Sequence, residues 1–198
     1  LFNGDRNAFF DKNDEYHLSK VGKCYIAGLL KRAPEITSIT SQWINSYKRL
    51  VPGYEAPVYL SWARRNRADL IRIPGYKPGK ENATRLEYRS PDPACNPYLA
   101  FSVMLAAGLE GVVNEYEVPD PVEENVYQMT EAERERRGIG TLPGSLREAL
   151  HLTEKSELVR KTLGDHVFNA FIKNKQIECD NFDAQVTDYE LNRYLPIL

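Results

Sequence analysis

Apolar residues recur at steps of three and four along residues 18–32, at Leu18, Val21, Tyr25, Ile26, Leu29 and Leu30. That period puts them on one face of an amphipathic helix. Pro34 either ends this helix or opens a new turn, because the residue before a proline avoids helical dihedrals. The Ser/Thr-rich run 37–41 predicts a loop into Gln42-Trp43-Ile44. Beyond it the period changes to two. Residues 58–62 and 69–73 read as strands, and so does Thr84-Arg85-Leu86-Glu87-Tyr88-Arg89, where apolar and charged side chains alternate. The Pro/Gly-punctuated loop 74–79 makes the last two an antiparallel pair.

Asn96 followed by Pro97 is a helix start, a capping side chain before a proline at the first helical position. The run 98–116 is the most apolar helix in the chain and is expected to be a central packing element. Residues 117–124 are acidic and proline-broken, hence a loop. A short charged helix over 131–137 stops at Gly138, and Ser145 caps an amphipathic helix through Leu152. Another helix covers 156–163 and stops at Gly164, with Asp165 capping the next. The last helix, 187–195, is rich in Tyr and Leu and has an apolar face that wants a partner. Residues 1–16 are turn-rich around a short aromatic run.

The 198 residues, with 42% hydrophobic and 11% aromatic side chains, suffice for one core. No apolar run approaches the ~20 residues needed to cross a bilayer, so no membrane partner is expected. Three widely spaced cysteines (Cys24, Cys95, Cys179) suit buried thiols in a reducing cytosol better than a disulfide frame or a zinc knuckle. A net charge of −2 argues against general nucleic-acid binding. Its distribution is uneven: residues 45–93 hold ten Lys/Arg against five Asp/Glu, and the remainder is acidic. Such a segment attracts small anions such as phosphates or carboxylates.

Six of those cations are arginines between residues 64 and 89: Arg64, Arg65, Arg67, Arg72, Arg85 and Arg89. Arginine holds oxyanions in forked geometry where lysine acts as a point charge. With Arg72 opposite Ile71 and Ile73, pairing of 69–73 with 84–89 brings Arg72 to Arg85 and Arg89 around one cavity, which suits a polyphosphate. The alternative is a solvated face of scattered ion pairs, each worth little. Alternation also puts Arg85, Glu87 and Arg89 on one strand face. An acid between two guanidinium groups serves either to hold a divalent cation beside an anion or to form cross-strand ion pairs. Glu55, just past the Pro52-Gly53 turn, stays ionised near so many arginines, which favours cation binding or proton acceptance. There is no glycine-rich phosphate loop and no Ser/His/Asp order.

Several blocks, taken together, resemble type I glutamine synthetase (glutamate–ammonia ligase). They are Asn45-Ser46-Tyr47-Lys48-Arg49-Leu50-Val51-Pro52-Gly53-Tyr54-Glu55-Ala56-Pro57, Ala63-Arg64-Arg65-Asn66-Arg67 and Leu70-Ile71-Arg72-Ile73-Pro74. Arg85-Leu86-Glu87-Tyr88-Arg89-Ser90-Pro91-Asp92-Pro93 and Asn96-Pro97-Tyr98-Leu99-Ala100-Phe101 follow in family order. The resemblance spans essentially the whole chain and less than half of a family enzyme. It implies an α+β fold, an antiparallel sheet with packed helices. It assigns residues 1–198 to the carboxy-terminal portion of the catalytic domain, so that a β-grasp domain and the first half of the catalytic domain, with its acidic metal ligands, are expected upstream.

The resemblance further implies a cytoplasmic ligase that uses ATP and Mg²⁺ or Mn²⁺, with glutamate and ammonia as the other substrates. By position, Arg49 resembles the arginine that holds the substrate amino-acid carboxylate, and Arg89 the one that contacts the reacting carboxylate. Glu55 resembles the flap glutamate that binds ammonium, takes its proton and shields the intermediate. Arg67, Arg72 and Arg85 resemble the nucleotide-phosphate arginines, Arg67 being counted with Glu55 as catalytic, and Glu87 resembles a divalent-metal ligand. The segment 189–198 resembles a helical arm that joins two rings of a dodecamer, the alternative being that it packs on its own domain. Ser41-Gln42-Trp43-Ile44 departs from the Asn-Pro common in the family and resembles a branch that includes γ-glutamyl ligases for alkylamines or polyamines. A non-catalytic nitrogen-sensing relative is a third alternative. In the divergent loop 75–84 neither Lys77 nor Lys80 is assigned. Tyr127 lacks the usual residues after an adenylylated tyrosine, so no adenylylation is expected.

Overall fold

The computed structural model describes residues 1–54, 56–64, 66 and 68–198. It opens with a small antiparallel hairpin of β1 (Phe2–Asn3) and β2 (Arg6–Asn7). Asn7 ties this hairpin to the chain that leads into the last strand of the next sheet, its side-chain amide donating to the carbonyl of Thr84 at 2.7 Å.

Helix α1 (Lys20–Thr40) starts at Ser19, whose hydroxyl accepts from the Gly22 N–H. It does not stop at Pro34, and the Ser/Thr run 37–41 expected as a loop is its last turns. Packing decides this. An interior proline costs about 3 kcal/mol, whereas Ile36 and Ile39 beyond it are fully buried and contribute roughly 1.5–3 kcal/mol each. The hydroxyls of the polar run are also bonded: Thr37 donates to Ala33 O at 2.6 Å, and Ser38 and Thr153 share a bond of 2.6 Å. Thr153 belongs to α5 (Leu146–Glu154), capped by Ser145 as expected.

Helix α3 (Pro97–Val113) begins at the Asn96 cap and ends a turn before the expected 116. It crosses α1 at glycines. A Cβ on Gly28 would stand 2.2 Å from Ala107 O, and one on Gly111 would stand 2.1 Å from Cys24 O. The two backbones therefore touch. Only one face of α3 is central: Ala100, Val103, Ala107, Gly108 and Gly111 are buried, while Tyr98, Phe101, Leu105, Leu109 and Val113 are exposed.

Between these helices lies a sheet of β3 (Trp62–Ala63), β4 (Ile71–Arg72) and β5 (Glu87–Tyr88). β4 and β5 are antiparallel as expected, with Ile71 opposite Tyr88 and Arg72 opposite Glu87. β3 and β4 are parallel, so the sheet is mixed within an α+β fold. Apolar alternation carries no strand direction, which is why the parallel pair is not readable from it. Most of the expected strand 58–62 pairs elsewhere, through Leu60 N to Gly140 O and Leu142 N to Val58 O.

Between α1 and β3 comes the short helix α2 (Ser46–Arg49). Farther along the chain are α4 (Glu131–Arg136), α6 (Glu157–Asp183) and α7 (Asp188–Tyr194). Gly164, at φ +74°, breaks α6 where the sequence predicts a stop. Thr187 and Glu190 form a reciprocal cap on α7, whose Tyr189, Leu191 and Tyr194 are exposed. No helix among the described residues is long and apolar enough to cross a membrane.

Among the described residues, two carboxylates are buried in the core. The oxygens of Asp92 accept from Ser46 Oγ and Ala94 N. Asp69 is 0% exposed, and neither of its carboxylate oxygens has a partner at bonding geometry among the described residues. Burial pushes its carboxyl up from 3.8 to about 7, with Glu123 adding to the rise and the nearby Ser61 hydroxyl and Arg89 charge opposing it.

Two stability predictions follow from this packing. Gly28→Ala or Gly111→Ala is expected to cost about 1–3 kcal/mol or more, as backbone-facing overpacking does. In the same urea titrations, Gly144→Ala is the control, because its Cβ would meet only Glu148 Oε2, at 3.7 Å; equal midpoints for all three variants would refute the close crossing. For Asp69, the folded state holds a proton that the unfolded chain has released above its ordinary value. Stability from this group is thus full below 3.8, falls as pH rises, and levels off above about 7. Asp69→Asn removes that loss. The unfolding free energy of the variant minus that of wild type should rise by about 2–4 kcal/mol from pH 4 to pH 8. A difference that does not change with pH would contradict it.

Candidate functional site

The β4–β5 register puts Arg72 directly across from Glu87. Arg72 donates to Glu87 Oε2 from Nε at 2.9 Å and also from Nη2, while Arg89 Nε lies 3.2 Å from Glu87 Oε1. One carboxylate is therefore gripped by two guanidinium groups. The cluster is not sealed: the Glu87 side chain keeps 38% of its exposure, Arg72 28% and Arg89 17%. At that exposure the ion pairs add little to stability. Their consequence is geometric, because each planar fork is fixed in one orientation.

Arg89 is anchored from behind. Its backbone N–H donates to Leu70 O at 2.9 Å, and its Nη1 lies 3.4 Å from Asp69 O. The chain after it is tied to α1 and α2. Asp92 N donates to Thr40 O at 2.9 Å, Ser41 Oγ donates to Ser90 O at 3.3 Å, and Ser46 Oγ bonds the Asp92 carboxylate. Arg49, the last residue of α2, spans the same segment. Its Nη1 donates to Ser90 O at 2.9 Å, and its Nη2 lies 3.4 Å from Arg89 O. Ser-Pro-Asp-Pro is thus a splint that holds Arg49 and Arg89 in one frame.

The structure brings Arg49, Arg72, Glu87 and Arg89 together. Arg85 is not part of that cluster: it is exposed, donates to Ala83 O at 3.1 Å and lines a separate cavity, so the single cavity expected for Arg72, Arg85 and Arg89 is corrected. The physical reason is the short strand. Pairing covers only Glu87–Tyr88, and alternation does not extend back to residue 85. Glu55 and Arg67, expected at the site, and the neighbouring Arg65 lie outside the described residues.

Arg85 shares its cavity, of about 240 Å³, with Lys77, Lys80, His17, Tyr16 and Tyr76. His17 and Tyr76 meet edge to face, with ring centroids 4.5 Å apart. Arg85 also borders a second cavity of about 460 Å³ whose apolar wall includes Phe9, Tyr25, Leu86 and Met104. Cations beside aromatic rings suit a phosphate attached to a flat ring system. The sequence left Lys77 and Lys80 unassigned, and what could have flagged them is their place in the Pro/Gly loop one strand from Arg85. Asp69 was missed because a lone Asp in a strand pattern reads as an ordinary surface residue.

The donor set is a partial fit for a divalent cation. Glu87 offers hard carboxylate oxygens at a solvent-open edge, as Mg²⁺ or Mn²⁺ requires. Among the described residues, no three His, Cys, Asp or Glu side chains gather to complete such a site. A metal would need further ligands.

Residues 1–194 match the family model described as glutamine synthetase, catalytic domain. The chain is 52% identical over 195 residues to glutamine synthetase of Thermotoga maritima, covering 98% of this chain and 44% of the relative. It is 51% identical over 197 residues to that of Mycobacterium tuberculosis and 48% identical over 198 to that of Methanosarcina mazei. Each alignment covers all of this chain and 44% of the relative. The chain thus spans less than half the length of the curated relatives it matches. Among solved structures, a GmaS–ADP complex superposes with a TM-score of 0.83 at 30% identity, over 96% of this chain and 43% of that one. GmaS without ligand superposes at 0.78 with the same identity, over 96% of this chain and 41% of that one. With the family model matching nearly every residue, the chain belongs to the glutamine synthetase catalytic-domain family.

Proposed function

We propose that these residues are the carboxy-terminal portion of a glutamine synthetase catalytic domain. In the complete protein they form one wall of a site that ligates ammonia to the glutamate side-chain carboxylate at the expense of ATP, through γ-glutamyl phosphate. The observation that carries this reading is the Arg72–Glu87–Arg89 cluster, splinted to Arg49 through the chain 89–92. Roughly 50% identity to enzymes named glutamine synthetase supports it.

Phosphoryl transfer asks the protein mainly for positioning and for neutralisation of charge on the transferred group's oxygens. Arg72 and Arg85, with Arg67, supply fixed positive charge for the nucleotide phosphates. The GmaS relative solved with ADP is consistent with a nucleotide here, and Lys77 and Lys80 join Arg85 on the cavity rim. Arg49 holds the amino-acid carboxylate, and Arg89 orients the carboxylate that receives the phosphoryl group. Glu55 accepts the proton that ammonium must lose before it can attack. Glu87 would contribute one oxygen ligand to Mg²⁺ or Mn²⁺, which would supply positive charge against the phosphates. Its remaining ligands come from elsewhere in the complete protein. The exposed α7 acts as an arm between rings of a homo-dodecamer, and the location is the cytoplasm.

A second reading is a γ-glutamyl ligase that uses an alkylamine or polyamine. Trp43, 48% exposed in the departing Gln42-Trp43-Ile44 stretch, favours it. Greater identity to the glutamine synthetases favours ammonia.

Phosphate release by the complete protein, given ATP and glutamate, separates the readings. Dependence on ammonia is expected. Response to methylamine or a polyamine alone would move the assignment to the second reading, and no release with any amine would indicate a non-catalytic relative. The isolated 198 residues should form no glutamine from ATP, glutamate and ammonia. In the complete protein, Glu87→Gln and Arg89→Ala should each lower kcat about 10²–10³-fold, the usual loss for removing a group that stabilises transition-state charge. Retained activity in either variant would remove that residue from the site.

A further inference from the structure

The buried acid behind the cluster is not used by the reaction as proposed. Asp69 immediately precedes the Leu70 carbonyl to which Arg89 is hydrogen-bonded, and its own carbonyl lies 3.4 Å from Arg89 Nη1. Its carboxylate is buried, its oxygens meet no hydrogen-bond partner at bonding geometry among the described residues, and it feels the Ser61 hydroxyl and the field of the Arg89 guanidinium. Among the described residues, two other groups act on it directly. Ser61 lies before β3, and Glu123 is in the loop after α3. Tyr127, electrostatically coupled to both Asp69 and Arg89, packs on Tyr59, over which Arg134 of α4 is stacked. Arg89 is the only cation acting directly on Asp69 among the described residues.

This arrangement makes the charge on Asp69 and the charge of an anion at Arg89 alternatives. An ionised Asp69 would draw the guanidinium's field inward, and a bound anion would draw it outward. Two negative charges on either side of one cation repel, so the second to arrive pays for the first. Protonation removes that competition. Burial already holds the group where a modest change of field moves its proton near neutral pH.

We propose that Asp69 is a positioning residue for Arg89 that couples a proton to anion binding: occupation of Arg89 by a substrate carboxylate makes Asp69 take up a proton, and ionisation of Asp69 weakens that occupation. The inference rests on the reading in which Arg89 contacts glutamate. Linkage makes the effect reciprocal, so the proton and the anion strengthen each other's binding by the same factor.

The test is calorimetric titration of L-glutamate into the complete protein in buffers of different ionisation enthalpy, which counts protons taken up. A coupling of about tenfold, within the usual range, corresponds to roughly half a proton per site near pH 7.5, falling towards zero at pH 5 and above pH 9.5. The dissociation constant should weaken about tenfold across the same range, and Asp69→Asn should abolish both effects. A purely structural Asp69 would leave the proton count unchanged in that variant. If Asp69→Asn does not fold, Asp69→Ala and the wild-type pH profile decide, and a wild-type count near zero at pH 7.5 overturns the inference. Equal uptake in wild type and variant overturns it alone. Failure of L-glutamate to bind at all overturns the proposed function and this inference with it.

Discussion

The crossing of α1 and α3 at Gly28 and Gly111 is the contact on which the rest of the structure depends. With Cβ positions as close as 2.1 Å to the opposing backbone, no other residue fits without moving a helix. The crossing sets where α1 ends, and its end is where the site begins. Thr40 O and Ser41 Oγ hold the backbone of residues 90–92, and that backbone in turn holds Arg49. A shift of α1 along its axis would therefore be transmitted to two arginines. Positioning costs of this kind are steep in phosphoryl chemistry, because the protein contributes placement more than covalent reactivity.

The sheet does the complementary work with very little pairing. β4 and β5 share two residue pairs, yet one of them is Arg72 with Glu87. A slip of β5 by one residue would send Glu87 to the face opposite Arg72. The register is held by apolar neighbours: Leu70, Ile71 and Ile73 are buried, and Arg89 N to Leu70 O closes the ladder. Core packing thus fixes the register, and the register fixes the charges.

Much of this was legible in the sequence because it rests on local rules. The Asn96-Pro97 start, the Ser145 and Thr187 caps and the Gly164 break lie where capping chemistry puts them. The antiparallel β4–β5 pair followed from the Pro/Gly loop between the strands, and the shared face of Glu87 and Arg89 from alternation. What was not legible depended on contacts distant in sequence. The passage of α1 through Pro34 follows from burial of Ile36 and Ile39 and from the bond between Ser38 and Thr153. The separation of Arg85 from the cluster follows from where pairing ends, which no periodicity reports. Asp69 lay in a strand pattern, and only the folded core shows that its carboxyl is buried beside Arg89.

The balance of charge links the cluster to what it can bind. Glu87 is shared between the two guanidinium groups that touch it. Arg49 adds a third, and Arg85, Lys77 and Lys80 add more along the adjoining cavity. Holding so many cations together is favourable only with anionic partners, and a ligand carrying several charges supplies them at once. Substrates with phosphate and carboxylate groups meet that condition, and they arrive and leave during a reaction cycle. Between those events the excess has to be balanced from inside or by solvent. A buried carboxyl group that can release or take up its proton beside Arg89 is a counter-charge of variable size. In that light Asp69 is a burial cost that the fold tolerates next to the one place where its ionisation has an effect.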